Sequence, residues 1–223
     1  MALEIVQIEV GLLQNFNELV GDPVTGECAV VDPAYEVDRL LELGRKRGWT
    51  IKTVLVTHTH HDHIEGVAEL CEATGAVAWV GAGELEELRA AAPKAEIRPV
   101  TDGERIAIGG ETIEAIATPG HTRAGTSYFT GTAVITGDSL FVGGVGRTDF
   151  PGGSASTLWR SLQRLAALPE ETRVYPGHDY GQTQTSTVGW ERTTNPYLLC
   201  QSEAEFIALR TGGKSPRPIR GAR

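Results

Sequence analysis

The chain has 223 residues, 40% hydrophobic and 22% charged, an ordinary globular composition that excludes disorder as the main state and suits a single α/β domain. It carries 20 Lys and Arg against 29 Asp and Glu. Four of the cations (Lys214, Arg217, Arg220, Arg223) fall in the last ten residues, so residues 1–213 hold 16 basic and 29 acidic side chains, a balance of −13 that argues against nucleic acid as a partner. No apolar run approaches the roughly 18 residues of a membrane span. Glu4 and Glu9 precede the first basic residue, Arg39, which does not fit a signal peptide. Cys28, Cys71 and Cys200 are widely spaced, without a C-x-x-C pair, and read as reduced thiols of a cytoplasmic protein.

In chain order, Glu4 to Val10 and Ala29 to Val31 read as strands, the second ending at Asp32-Pro33. Val37 to Arg47 has helical spacing and stops near Gly48. Thr53 to Val56 reads as a buried strand, Gly66 to Ala73 as a helix, Ala76 to Val80 as a strand and Glu84 to Ala92 as a charged helix. The middle then changes to hairpins. Arg105 to Ile108 and Thr112 to Thr118 flank Gly109-Gly110, and Ser127 to Thr130 and Ala133 to Thr136 flank Gly131-Thr132. After a glycine-rich loop come a helix near Ser156 to Leu168, a strand Arg173 to Tyr175 and a helix near Ser202 to Leu209. Two groups of strands, each flanked by helices, predict two sheets face to face with helices outside, in one domain over 1–211. Residues 212–223 are expected to be a flexible basic tail.

There are six histidines, and four lie in Thr57-His58-Thr59-His60-His61-Asp62-His63, after a strand and before a helix. In extended backbone His58 and His60 share a face. Where the chain turns into the helix, Asp62 and His63 can present a second set of ligands, while His61 is expected to face away. Imidazole with carboxylate suits zinc, iron or manganese. The remaining candidates follow the same rule. His121 comes after Thr118-Pro119-Gly120, Asp138 after Thr136-Gly137, and His178 after Tyr175-Pro176-Gly177. Each is preceded by a glycine that permits a sharp turn just past a strand.

These motifs, T-H-T-H-H-D-H at 57–63, T-P-G-H-T at 118–122, T-G-D-S-L-F at 136–141 and Y-P-G-H-D-Y at 175–180, resemble the metallo-β-lactamase superfamily over essentially all of residues 1–210. The resemblance implies a four-layer αβ/βα sandwich with the site at one edge of two mixed sheets. It implies one metal on His58, His60 and His121, a second on Asp62, His63 and His178, and Asp138 bridging. Two divalent cations make hydroxide available near neutral pH, so the expected reaction is attack on an electrophilic carbonyl carbon, with Asp62 orienting the nucleophile and passing a proton.

The segment Gly146-Arg147-Thr148-Asp149-Phe150-Pro151-Gly152-Gly153 is similar to one shared by short glyoxalase II-type thioesterases and persulfide dioxygenases, which act on glutathione-type thiol derivatives. The leading expectation is a hydroxyacylglutathione-type thioester hydrolase. The alternative is a dioxygenase oxidising glutathione persulfide to sulfite with one Fe(II) on His58, His121 and Asp138, a facial set with open positions. His178-Asp179-Tyr180, Ser186-Thr187-Val188 and Glu191-Arg192-Thr193-Thr194-Asn195-Pro196 lean that way. Val145, where those enzymes commonly have cysteine, and His61, where they have a small residue, depart from it. Tyr128 matches a glutathione-contacting tyrosine of glyoxalase II, and with Arg147 and Tyr180 completes the expected substrate contacts. Tyr128 also reads as a core strand residue, and Arg147 with Asp149 as a structural ion pair. A lactonase or β-lactamase-type hydrolase is a further alternative, for which no apolar flap is marked. A homodimer is left open.

Overall fold

The computed structural model describes residues 2–212, so the expected tail, Gly212 apart, lies outside the described residues. An N-terminal hairpin of β1 (Glu4–Val10) and β2 (Asn15–Gly21) continues antiparallel into β3 (Glu27–Val31). There follow α1 (Val37–Arg47), β4 (Thr50–Val56), the single turn α2 (His61–Ile64), α3 (Val67–Thr74), β5 (Val77–Gly81), α4 (Leu85–Ala91) and β6 (Ile97–Val100). The first sheet runs β1-β2-β3-β4-β5-β6, and its last four strands are parallel because helical crossovers join them.

The second sheet takes β7 (Arg105–Ile108), β8 (Glu111–Ala117), β9 (Thr126–Phe129), β10 (Ala133–Gly137), β13 (Arg173–Pro176) and β14 (Ser186–Thr187), ordered β14-β13-β10-β9-β8-β7. A two-residue pair, β11 (Leu140–Phe141) and β12 (Gly144–Val145), interrupts it, and α5 (Ala155–Ala166), α6 (Val188–Thr194) and α7 (Glu203–Thr211) follow β12, β14 and the last loop.

Strand alternation sorts the side chains into layers. Cys28, Val30, Val54 and Val56 face α1 and α3, whereas Ala29, Val31 and Leu55 face the other sheet. From the second sheet Ile113, Ala115, Tyr128, Ala133, Ile135 and Tyr175 meet them, while Val134 and Val174 turn outward onto Leu158, Leu162 and Leu165 of α5. The result is helix, sheet, sheet, helix, as expected. Of the longer elements, β2, β6 and α6 were not foreseen. β2 is buried along its whole length although it carries Asn15, Asn17 and Glu18, so it shows neither alternation nor an apolar run.

Candidate active site

The chain leaves β4 through Thr57 and delivers His58 and His60 before α2 begins. His60 occupies the N-cap position, and α2 carries Asp62 and His63. Pro119-Gly120 after β8, the end of β10 and the end of β13 deliver His121, Asp138 and His178 to the same edge of the sandwich. The approach is close. A Cβ on Gly177 would stand 2.6 Å from Asp138 Oδ1 and 3.0 Å from His63 Cε1, so the glycine seen in the sequence before His178 is a steric requirement.

The donors form two groups. His60 Nδ1 lies 3.0 Å from His58 Nε2 and 2.9 Å from His121 Nε2. Across the site, His63 Nε2 and His178 Nε2 are 3.2 Å apart, with Asp62 Oδ2 at 3.6 and 3.5 Å from them. Asp138 stands between: Oδ1 is 3.4 Å from both His63 and His178 Nε2, and Oδ2 is 3.5 Å from His121 Nε2.

The outer ring of hydrogen bonds fixes the imidazole tautomers. His121 Nδ1 donates to the Arg147 carbonyl at 2.6 Å and His178 Nδ1 to the Leu13 carbonyl at 3.0 Å. His63 Nδ1 donates to Asp32 Oδ2 at 3.0 Å. Thr57 Oγ1 gives its hydrogen to Asp32 Oδ2 at 2.6 Å and so accepts from His58 Nδ1 at 3.0 Å. With these four Nδ1 hydrogens directed outward, the Nε2 atoms of His58, His63, His121 and His178 and the Nδ1 atom of His60 converge on one small volume, and the buried Asp138 Oδ1 has no hydrogen-bond partner. Lone pairs at such separations repel unless a cation sits among them, so these residues fit divalent metal ions.

The electrostatics agree. Burial, reinforced by the facing His63, holds His58 well below the ordinary imidazole value. Burial and His121 lower His60. Burial works against charge on His63 too, but Asp138, Asp32 and Asp62 outweigh it and move it up to about 9; positive charge is welcome there. Burial would raise Asp138, yet His178 and His63 hold it well below the carboxylate range.

Sequence reasoning missed the supports. Asp32, which the sequence marks only as a strand end, accepts from Thr57 N at 2.7 Å as well as from Thr57 Oγ1 and His63. Buried Glu84 accepts from Thr59 N and Oγ1 through one oxygen and from Ala124 N through the other, tying the histidine segment to the His121 loop. The signal for Asp32 was a carboxylate just past a buried strand. Glu84 had none.

The expected substrate contacts divide. Tyr128 is corrected: it is wholly buried between the sheets and donates to the Val56 carbonyl at 2.9 Å, so it presents no surface to a ligand. Tyr180 stacks on His178 with ring centroids 4.5 Å apart and stays partly exposed. Burial, and behind it the Asp138 and Asp62 charges, push its hydroxyl up to about 12. Arg147 reaches Asp149 through two bonds of 2.9 and 2.8 Å and lies over Phe150, whose ring meets His60 edge-on at 4.9 Å. His61 points away, exposed, onto Glu65. Leu12 and Leu13, exposed at the β1–β2 turn, form an apolar loop next to His178 that the sequence had not marked.

No helix among the described residues is long and apolar enough to cross a membrane. The metallo-beta-lactamase superfamily model matches residues 19–178. The chain is similar to a hydroxyacylglutathione hydrolase of Rhodospirillum rubrum, 38% identical over 218 residues, covering 97% of this chain and 81% of that one. It is 34% identical over 231 residues to a beta-lactamase hydrolase-like protein of Agrobacterium fabrum, covering 90% of this chain and 54% of the relative, so it spans about half that protein's length. Among solved structures it resembles ETHE1 from Myxococcus xanthus, with a TM-score of 0.85, 36% identity and coverage of 96% and 93%. Donor cluster, sandwich and likeness coincide, and the chain belongs to the metallo-β-lactamase superfamily.

Proposed function

We propose that the protein is a metallohydrolase that cleaves thioesters of the hydroxyacylglutathione kind with two divalent cations. The observation that carries this reading is the placement of Asp138, whose two carboxylate oxygens are shared out between the two nitrogen groups at 3.4 and 3.5 Å. A carboxylate so divided serves two cations better than one. His58, His60 and His121 would hold the first and Asp62, His63 and His178 the second; the donor set admits zinc, iron or manganese. Cations in these positions supply a Lewis acid for the carbonyl and lower the pKa of bound water to near neutrality.

The chain's own groups do the rest. Asp62 is the less buried of the two site carboxylates and can take the proton that the nucleophile releases. The Tyr180 hydroxyl stays protonated and can donate to a substrate oxygen at the rim. Arg147 offers the rim's cation to an acidic thiol carrier such as glutathione, while its own carbonyl holds His121. The relative from Rhodospirillum rubrum supports this substrate class.

Persulfide oxidation is the second reading, favoured by the likeness to ETHE1 from Myxococcus xanthus and by Asp138 Oδ2 standing 3.5 Å from His121 Nε2, with the His58 ring beside His121. His60→Ala separates the two. For a two-cation hydrolase, the variant should lose first-site metal and at least 10-fold in thioester turnover, measured by elemental analysis and by loss of the thioester absorbance. Unchanged metal content, together with rapid oxygen uptake by the iron-loaded wild type given glutathione persulfide, would instead establish the dioxygenase.

A further inference from the structure

Asn15 opens β2, is completely buried, and lies 47 residues from the segment it touches. Its Nδ2 donates one hydrogen to the Asp62 carbonyl at 2.8 Å and the other to Asp62 Oδ2 at 3.0 Å. That same Oδ2 faces the Nε2 atoms of His63 and His178. The amide nitrogen, with two hydrogens, can serve both acceptors at once and the amide oxygen can serve neither, which fixes the orientation of the group. The other end of the amide, Oδ1, is then buried with no partner. A buried, half-satisfied amide is destabilising relative to an apolar side chain of the same shape. Structure alone therefore favours leucine at this position, and what asparagine adds is its grip on Asp62.

The neighbouring residues point the same way. The Leu13 carbonyl accepts from His178 Nδ1, the Gln14 carbonyl accepts from Asp179 N at 2.8 Å, and Phe16 N donates to the Gly177 carbonyl at 2.8 Å. Asn15 itself bridges to His178. Residues 13–16 thus clasp Asp62 and His178. The His58, His60 and His121 group is supported from elsewhere, by Thr57, Glu84 and the Arg147 carbonyl.

We infer that Asn15 is a positioning residue for the second cation: it turns Asp62 Oδ2 toward His63 and His178 and has no part in the first site. The inference rests on the two-cation reading above. It is tested on the full chain loaded with zinc, by counting bound zinc and by stepwise removal with a chelator of graded strength. The wild type should hold two zinc ions released in two steps. Asn15→Leu should keep the first step and weaken the second by about 10- to 100-fold, without a lower melting temperature. Asn15→Asp, of the same shape but setting carboxylate against carboxylate, should weaken the second step at least as much. Asn17→Leu, a buried asparagine two residues along that does not touch Asp62, should change neither step.

Second-site binding within twofold of wild type in Asn15→Leu or Asn15→Asp overturns the inference while leaving the two-cation reading intact. Equal weakening of both steps with a lower melting temperature also overturns it, since Asn15 would then be scaffold. Wild-type protein that binds a single zinc overturns the two-cation reading, and the inference with it.

Discussion

One added methyl group measures how tightly the site is built. In Gly177→Ala the new Cβ would press on Asp138 Oδ1, the Gly137 carbonyl carbon and the His63 ring, all of them on fixed backbone or ligand groups. We expect at least a 10-fold loss of metal affinity, read by chelator competition, and a melting temperature lower by several degrees as β10 and β13 are pushed apart. The residue scale is also where the sequence was most and least informative. Seven donors could be named because each stands just past a strand or in the short helix that follows one, in a chemically distinctive pattern, and the structure brings those seven together. Tyr128 could not be placed, since a tyrosine in a strand reads alike whether its hydroxyl meets a ligand or, as here, the carbonyl of Val56. Asn15 and Glu84 were invisible because their partners lie 47 and 25 residues away.

At the scale of elements, α5 braces the His121 loop. Ser154 caps the helix by accepting from Thr157 N at 3.2 Å, and its own N–H donates to the Gly120 carbonyl at 2.8 Å. Ser161, two turns along, donates to the Pro119 carbonyl at 2.7 Å. Ser154→Ala removes the cap but keeps the backbone bond, so thermal or denaturant unfolding should show a loss of about 1 kcal/mol with little change in bound metal. α5 was legible in the sequence, as were α1, by its helical spacing, α3 and α4. Its neighbour α6 was not, being only seven residues long and rich in Thr. Of the longer strands that escaped notice, β2 is buried by tertiary packing that no local pattern records, and β6 carries Arg98 and Pro99 exposed at its middle and shows no apolar run.

At the scale of the whole molecule, the core contains an ionisable group that is not one of the seven candidate donors, although it feels the charges of Asp32 and His63. Glu18, on β2, is buried and bonded by Gln7 Nε2 at 3.1 Å. Burial raises its carboxyl from 4.5 to about 8, against the opposing Gln7 bond. The folded chain therefore keeps this proton where the unfolded chain has lost it. Between about pH 4.5 and 8 the native state binds more protons, and stability falls as pH rises, by up to ~1.4 kcal/mol per unit. Glu18→Gln should flatten that decline and raise the melting temperature at pH 8 more than at pH 5. Equal shifts at both values would show that Glu18 is not protonated in the fold.

The clasp between the β1–β2 turn and the loop after β13 has a consequence for how the protein is made. Leu13 and His178 are 165 positions apart, and His63 and His178 are 115 apart. During synthesis His63 leaves the ribosome 115 residues ahead of His178, and the turn that will hold His178 leaves it 165 residues ahead. Under the two-cation reading, metal capture by both groups would wait until the strands that carry His121, Asp138 and His178 have docked. An ion so bound would stabilise the assembled sandwich and not a partly folded one, and its uptake would mark completion of the fold.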